Sequence, residues 1–332
     1  MSMPEHIESA LNGITSKFSS NHGPITTLNR LSGGASQEIW VFELTIGQAI
    51  KRFILRRAPG GERSASTSHT ISLENEAKLL RAVGATKLPV PKVAYICSPE
   101  DGLGSGYIME FIAGETFARR IQRDDTYQKA RAQFSKECGA ALATIHQTPL
   151  NTLPDLPVSS ALVQIQHYEE IYRQLGIPRP TFELALQMLK ARPPEEMDPV
   201  LVHGDFRLGN LMIGEDGLRA VLDWELAHLG DPREDIGWIC VNSWRFGAPQ
   251  NRVGGIGQLE DLLSAYSEAG GRAIRPKDIY WWEMLGGLKW GIMCMIMYDT
   301  YRSGADVSVE RVAIGRRISE TEIDLINLME GF

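Results

Sequence analysis

The chain has 332 residues, of which 43% are hydrophobic and 23% charged. That composition is ordinary for a folded globular protein and excludes bulk disorder, and the length suggests about two domains or lobes. Lys and Arg number 34 against 41 Asp and Glu, a net charge of −7 that argues against a nucleic-acid-binding protein. The cysteines, Cys97, Cys138, Cys240 and Cys294, are far apart and form no C-x-x-C pair. Neither a disulfide framework nor a zinc site is expected, and a reducing cytoplasm fits. The first residues show no signal peptide, and the longest strongly apolar stretch, 290–298, is too short to span a bilayer. The expectation is a cytoplasmic protein with neither nucleic acid nor membrane as partner.

In chain order, 37–44 (QEIWVFEL) alternates faces with Trp40, Phe42 and Leu44 on one side, and 49–57 is a second strand candidate. Residues 46–48 between them suit a hairpin turn. Pro59-Gly60-Gly61 breaks the pattern, and a Ser/Thr-rich loop follows. The spacing of Leu73, Ala77 and Leu80 predicts a helix over 71–83. Pro89 and Pro91 cannot continue it, and 93–96 and 107–112 read as strands. After Gly114 the pattern is mostly helical: 126–147, 161–175 and 181–191. A short interlude holds a strand at 200–202, the segment HGDFRLGN and a hairpin over 211–222. Helices return at 235–244, 259–268, 276–301 and from about Val309. The order is that of an α+β, two-lobe protein rather than repeated βαβ units. The small β-rich lobe is assigned to 1–108, a hinge to 109–114 and the larger α-rich lobe to 115–332.

The segment 203–210 has the form H-x-D-x-x-x-x-N, the catalytic-loop pattern of protein kinases. In that pattern Asp205 orients an attacking hydroxyl, or accepts its proton, and Asn210 turns back to hold a metal ion beside nucleotide phosphates. Thirteen residues after Asn210, Asp223 ends the strand AVLD. A carboxylate and an amide oxygen are suitable hard ligands for Mg²⁺.

These motifs resemble the aminoglycoside phosphotransferase and choline kinase family, small-molecule relatives of protein kinases. The family text HGDxxxxN, (I/V)DWE and GDPxxDLA reads here HGDFRLGN, VLDWE and GDPREDIG. The likeness runs from Gly33 to about Trp244 and is nearest to the branch also found fused to acyl-CoA dehydrogenases. That branch shows a Gly-Ser-containing loop, LRRxPxG, VPxP and MExxxG, which appear here at 33–36, 55–60, 90–92 and 109–114. The resemblance implies a protein-kinase-like fold that uses ATP and Mg²⁺ to phosphorylate a hydroxyl of a small molecule. It places Gly33, Gly34 and Ser36 on the phosphates and Asn210 and Asp223 on the metal. Arg56 stands where the family has its phosphate-clamping lysine, a departure that keeps the charge and adds a planar fork. Lys51 and Arg57 are competitors for that role, turned by strand alternation to the opposite face. Glu76 stands where the pairing glutamate lies, with Glu74 as the alternative. Glu110 and Ile112 fall in the hinge, whose main chain would meet adenine. Arg207, two residues after Asp205, is a candidate to face the transferred phosphoryl group, against a salt bridge or a substrate contact. His203 and Asp235 are read as structural support.

The Met- and aromatic-rich segment 286–301 reads first as a core helix. The sharper reading has Trp281, Trp282, Trp290, Met293 and Met297 lining an apolar acceptor site. The last 75 or so residues show no dense acid cluster of the kind a polycationic aminoglycoside calls for. A hydroxyacyl or other partly apolar alcohol is therefore favoured as acceptor. The alternatives are an aminoglycoside or amino-alcohol kinase and a non-catalytic nucleotide-binding regulatory protein.

Overall fold

The computed structural model describes residues 3–19, 21–31, 37–61 and 70–331. The candidate phosphate-loop residues Gly33, Gly34 and Ser36 lie outside the described residues. The chain divides into two compact units, one of Met1–Gly114, Thr148–Pro157 and Arg219–Ala227, the other of Glu115–Gln147, Val158–Leu218 and His228–Phe332.

The first unit contains α1 (Met3–Phe18), β1 (His22–Leu31), β2 (Glu38–Ile46), β3 (Ala49–Arg57), α2 (Leu73–Gly84), β4 (Val93–Ile96) and β5 (Gly106–Glu110). The strands form one antiparallel sheet in the order β1-β2-β3-β5-β4. Alternation along β2 turns Trp40, Phe42 and Leu44 into the core. There they meet Phe53, Leu55 and Ile108, together with Ile7, Leu11 and Ile14 from α1, a helix absent from the expected elements. Burial along β3 does not alternate: its first four residues are exposed and its last five buried, so Arg56 and Arg57 are both inside. Ser72 stays extended and caps α2 by accepting the Asn75 N–H at 3.2 Å, so the helix begins at Leu73 rather than at 71.

Two segments expected in the larger lobe pack here instead. The Val221 N–H donates to the Pro89 carbonyl at 2.9 Å and the Ile71 N–H to the Glu225 carbonyl at 3.0 Å. The Asn75 amide donates to the Asp155 carbonyl at 3.1 Å. These bonds return 148–157 and 219–227 to the β-rich unit.

The second unit is mostly helical. It holds α3 (Ala118–Arg123), α4 (Gln128–His146), α5 (Ala161–Leu175), α6 (Pro180–Ala191), β6 (Val200–Val202) and β7 (Leu211–Gly214). Strand β8 (Gly217–Val221) carries the chain out of it, and β9 (His228–Gly230) brings the chain back to pair antiparallel with β6. Helices α7 (Arg233–Cys240), α8 (Leu259–Glu268), α9 (Pro276–Arg302), α10 (Val309–Gly315) and α11 (Ile318–Met329) complete it. Trp281 and Trp282 belong to its core with Phe182, Leu186 and Leu288. The helix expected over 235–244 breaks at Val241, whose ψ of 132° is extended, and resumes as a 3-10 turn at Asn242–Arg245. An unbroken helix would turn residues 238 and 244 about 120° apart. The break instead sets the Trp238 and Trp244 rings 5.3 Å apart. No helix among the described residues is long and apolar enough to cross a membrane.

Candidate active site

In the second unit, buried β6 delivers the chain to His203 and then to Gly204, whose φ of 81° is a left-handed turn that glycine makes without strain. That turn aims two successive backbone N–H groups at one carboxylate. Asp235, in the first turn of α7, accepts from the His203 N–H and the Gly204 N–H, each at 2.9 Å. His146 Nε2 meets the same carboxylate at 3.1 Å. Burial pushes the Asp235 carboxyl up, but the hydrogen bond and charge of His146, with His203, outweigh it and hold the group below its ordinary value.

Asp205 follows directly, and three side chains donate to it. Arg207 Nε lies 3.0 and 3.2 Å from its two oxygens. The Trp238 indole N–H donates to Oδ1 at 2.6 Å, and the Asn210 amide nitrogen to Oδ2 at 2.6 Å and to the Asp205 carbonyl at 3.0 Å. Asn210 therefore turns back as its spacing predicts, with its nitrogen engaged by Asp205. Arg207 also stacks over the Trp244 ring at 4.8 Å, so here it makes the salt bridge that was one of its three readings. Trp238 escaped the sequence reading. Its signal was its place three residues after Asp235, on the same face of α7.

In the first unit Arg56 is the centre. Its guanidinium lies 2.6 Å from Asp223 Oδ1, 3.4 Å from Glu76 Oε1 and 3.4 Å from Glu225 Oε2. Gln37 accepts from Arg56 Nε and donates to Glu225 at 3.2 Å. Glu76 is thus the acid that meets Arg56; Glu74 pairs on the surface with Lys78. Of the competing cations, Lys51 is exposed and Arg57 pairs with Glu38 at 3.3 Å. Asp223 has a φ of 65°, a left-handed conformation that Asp tolerates. Next to it, Trp224 is fully buried and its N–H reaches Glu76 at 3.3 Å. Burial alone would lower the Arg56 pKa, but Glu76, Tyr107 and Asp223 raise it well above its ordinary value. Burial raises the Glu76 carboxyl from 4.5 to about 7 against the pull of Arg56, helped by Asp223 and Glu225. At the end of β5 the Glu110 N–H is taken by the Lys92 carbonyl and the Phe111 N–H by the Arg52 carbonyl. The Ile112 N–H makes no backbone hydrogen bond among the described residues.

Asp223 in the first unit and Asn210 in the second each carry an oxygen of the kind a hard divalent cation takes, and such a cation uses few protein ligands beside phosphates and water. That chemistry fits Mg²⁺ rather than a soft or tetrahedral metal, and no cluster of three or more His, Cys, Asp or Glu able to hold a metal occurs among the described residues.

A β-rich unit with a buried Arg–Glu pair and a helical unit with an H-x-D-x-x-x-x-N loop define a protein-kinase-like phosphotransferase fold. Residues 27–276 match the model of the phosphotransferase enzyme family, and the chain belongs to that family. Among curated proteins it is 29% identical over 232 residues to the probable acyl-CoA dehydrogenase IBR3 of Arabidopsis thaliana, covering 65% of this chain and 28% of that protein. It is 24% identical over 352 residues to acyl-CoA dehydrogenase family member 11 of Homo sapiens, covering 99% of this chain and 42% of that protein. The chain therefore spans well under half the length of these relatives. Among solved structures, a Ralstonia eutropha protein assigned as an aminoglycoside phosphotransferase superposes with a TM-score of 0.74 at 22% identity, covering 98% of both chains. A ternary complex of a thermostable mutant of aminoglycoside phosphotransferase APH(4)-Ia with AMP-PNP and hygromycin B gives a TM-score of 0.63 at 17% identity, again over 98% of both chains. At these identities the structural likeness shows the fold.

Proposed function

We propose that the chain transfers the γ-phosphoryl group of ATP to a hydroxyl of a small molecule. The observation that carries this reading is Asp205, a carboxylate held by Arg207, Asn210 and Trp238 at the end of a buried strand. Asp205 accepts a hydrogen bond from the acceptor hydroxyl and aims its oxygen at the γ-phosphorus. A new O–P bond forms, the bond from the γ-phosphorus to the bridging oxygen breaks, ADP leaves, and the hydroxyl proton passes to Asp205 or water. Arg207 stabilises charge on the transferring oxygens. Asn210 and Asp223 would hold Mg²⁺, which when bound would neutralise phosphate charge. Arg56, steadied by Glu76, and the loop 33–36 hold the phosphates, and the main chain at Glu110 and Ile112 meets adenine. The AMP-PNP in the APH(4)-Ia relative supports an adenine nucleotide.

The names of the curated relatives favour a hydroxyacyl or other partly apolar alcohol as acceptor. ADP release is measured with ATP and Mg²⁺ against hydroxyacids, hydroxyacyl-CoAs, amino alcohols and aminoglycosides. We expect turnover with a hydroxyacyl compound and its loss in Asp205→Ala. No turnover on any of these acceptors, with Asp205→Ala indistinguishable from the parent, would overturn the reading. Turnover confined to aminoglycosides or amino alcohols would keep the chemistry and replace the acceptor.

A further inference from the structure

We infer that Lys289 and Trp238 are positioning residues for Asp205: Lys289, buried on α9, fixes the Gly204 carbonyl and the Trp238 ring, and Trp238 fixes the Asp205 carboxylate. The inference rests on the phosphotransfer reading above.

Lys289 is a cation in an apolar setting. Its neighbours along α9 are Met284, Leu285, Leu288, Ile292 and Met295, all core residues, and only 7% of Lys289 is exposed. A side chain needed only to fill that space would be apolar, because burying an ammonium group is costly. Among the described residues Lys289 forms no ion pair with a carboxylate. Its Nζ instead lies 3.3 Å from the Gly204 carbonyl, 4.5 Å over the Trp238 ring and 5.7 Å over the Tyr168 ring. These are contacts that a cation makes and a methionine cannot. Burial would lower its pKa, but Tyr168, Glu234 and Asp205 together raise it, so the group stays charged.

The close packing of α7 on α9 makes this contact possible. A Cβ on Gly237 would stand 2.5 Å from the Trp282 Cβ, and one on Gly286 would stand 2.7 Å from Val241 Cγ2. Only glycines let the two helices approach this closely, and the approach sets Trp238 of α7 against Lys289 of α9. Trp238 then passes the constraint on through its 2.6 Å hydrogen bond to Asp205. Asp235 meanwhile holds the Gly204 N–H while Lys289 holds the Gly204 carbonyl, so the residue before Asp205 is tethered on both sides.

The test uses the full chain with Lys289→Met, which keeps length and removes charge, Lys289→Arg, which keeps charge, and Trp238→Phe, which removes the indole donor. With the acceptor that turns over, Lys289→Met and Trp238→Phe should lower kcat by roughly 10- to 100-fold, the loss expected of a misplaced reacting group, with the KM for ATP within about twofold. Lys289→Arg should recover part of the loss. A purely structural role would not produce that split and rescue.

A second readout needs no turnover. In protein labelled with ¹⁵N at tryptophan, the resonance missing from Trp238→Phe is the Trp238 indole N–H. It should lie downfield and exchange slowly, shift in Asp205→Asn, and exchange at least about tenfold faster in Lys289→Met, as expected when a buried hydrogen bond loosens. An indole N–H that neither shifts nor exchanges faster overturns the inference, as does Lys289→Met with kcat within twofold of a parent that turns over. A parent without transfer activity but with the expected indole behaviour overturns the functional reading and leaves the positioning intact.

Discussion

The two units hold a charged side chain in opposite ways. In the first, the Arg56 guanidinium sits among Glu76, Asp223 and Glu225, with two of the three contacts at 3.4 Å. In the second, the Asp205 carboxylate receives directional hydrogen bonds of 2.6 to 3.2 Å from three side chains, on a loop whose preceding peptides are anchored by Asp235. The first arrangement is governed by net charge and responds to protons and cations. The second is governed by geometry and tolerates little displacement. The proposed transfer has use for both: a cluster that rearranges as a charged nucleotide and metal arrive, and a carboxylate that stays where the hydroxyl must be.

The largest expected effect breaks the geometric half. Asp205→Asn keeps the shape of the side chain but removes the acceptor for a hydroxyl proton, and it sets an amide against the donors of Asn210 and Trp238. Steady-state kinetics should show kcat reduced by about 10³-fold, within the range for loss of a general acid–base group. The thermal midpoint should stay close to that of the parent.

Arg56→Met breaks the electrostatic half. It leaves Glu76, 1% exposed, without its cation. Denaturant unfolding should show a loss of about 3–5 kcal/mol, as when one partner of a buried pair is removed. Arg56→Lys should recover much of that stability and retain nucleotide binding. Of similar size is Asp235→Ala, which orphans the His203 and Gly204 N–H groups. Each such buried donor costs about 1–3 kcal/mol, and kcat should fall while the KM for ATP holds.

What the sequence made legible follows the same division. Alternation revealed β2, and the 3–4 spacing revealed α2, because each element buries one face. Motif spacing named Asp205, Asn210 and Asp223, and the family resemblance added Arg207, Arg56 and Glu76; the fold brings Asp205, Arg207 and Asn210 together in one unit and Arg56, Glu76 and Asp223 together in the other. The return of 219–227 to the β-rich unit was not legible, because it depends on backbone bonds such as that from Val221 to Pro89, far apart in sequence. Edge strand β1 is half-exposed and polar, without an alternating signal. Helix α1 was legible in principle, since Ile7, Leu11 and Ile14 fall at helical spacing. Lys289 meets Gly204 across 85 residues, and nothing in a helix of Met, Trp and Gly marks one lysine as the residue that faces inward.

The smallest effect sharpens the comparison most. Glu76 has a carboxyl raised from 4.5 to about 7, so between those values the folded chain holds a proton that the unfolded chain has released. The contribution of Glu76 to stability is therefore fully present below about pH 4.5 and is lost as pH rises toward 7. Activity should move the other way. The Arg56–Glu76 ion pair needs the ionised carboxylate, so kcat/KM for ATP should rise with pH through about 7 as Arg56 becomes anchored. Glu76→Gln should flatten both profiles, leaving activity low across the range and removing the decline in stability. If both limbs persist in Glu76→Gln, the titrating group lies elsewhere. If Glu76→Gln removes only the kinetic limb, the proton on Glu76 governs nucleotide handling without weighing on the fold, and the electrostatic half of the molecule is stiffer than its loose contacts imply.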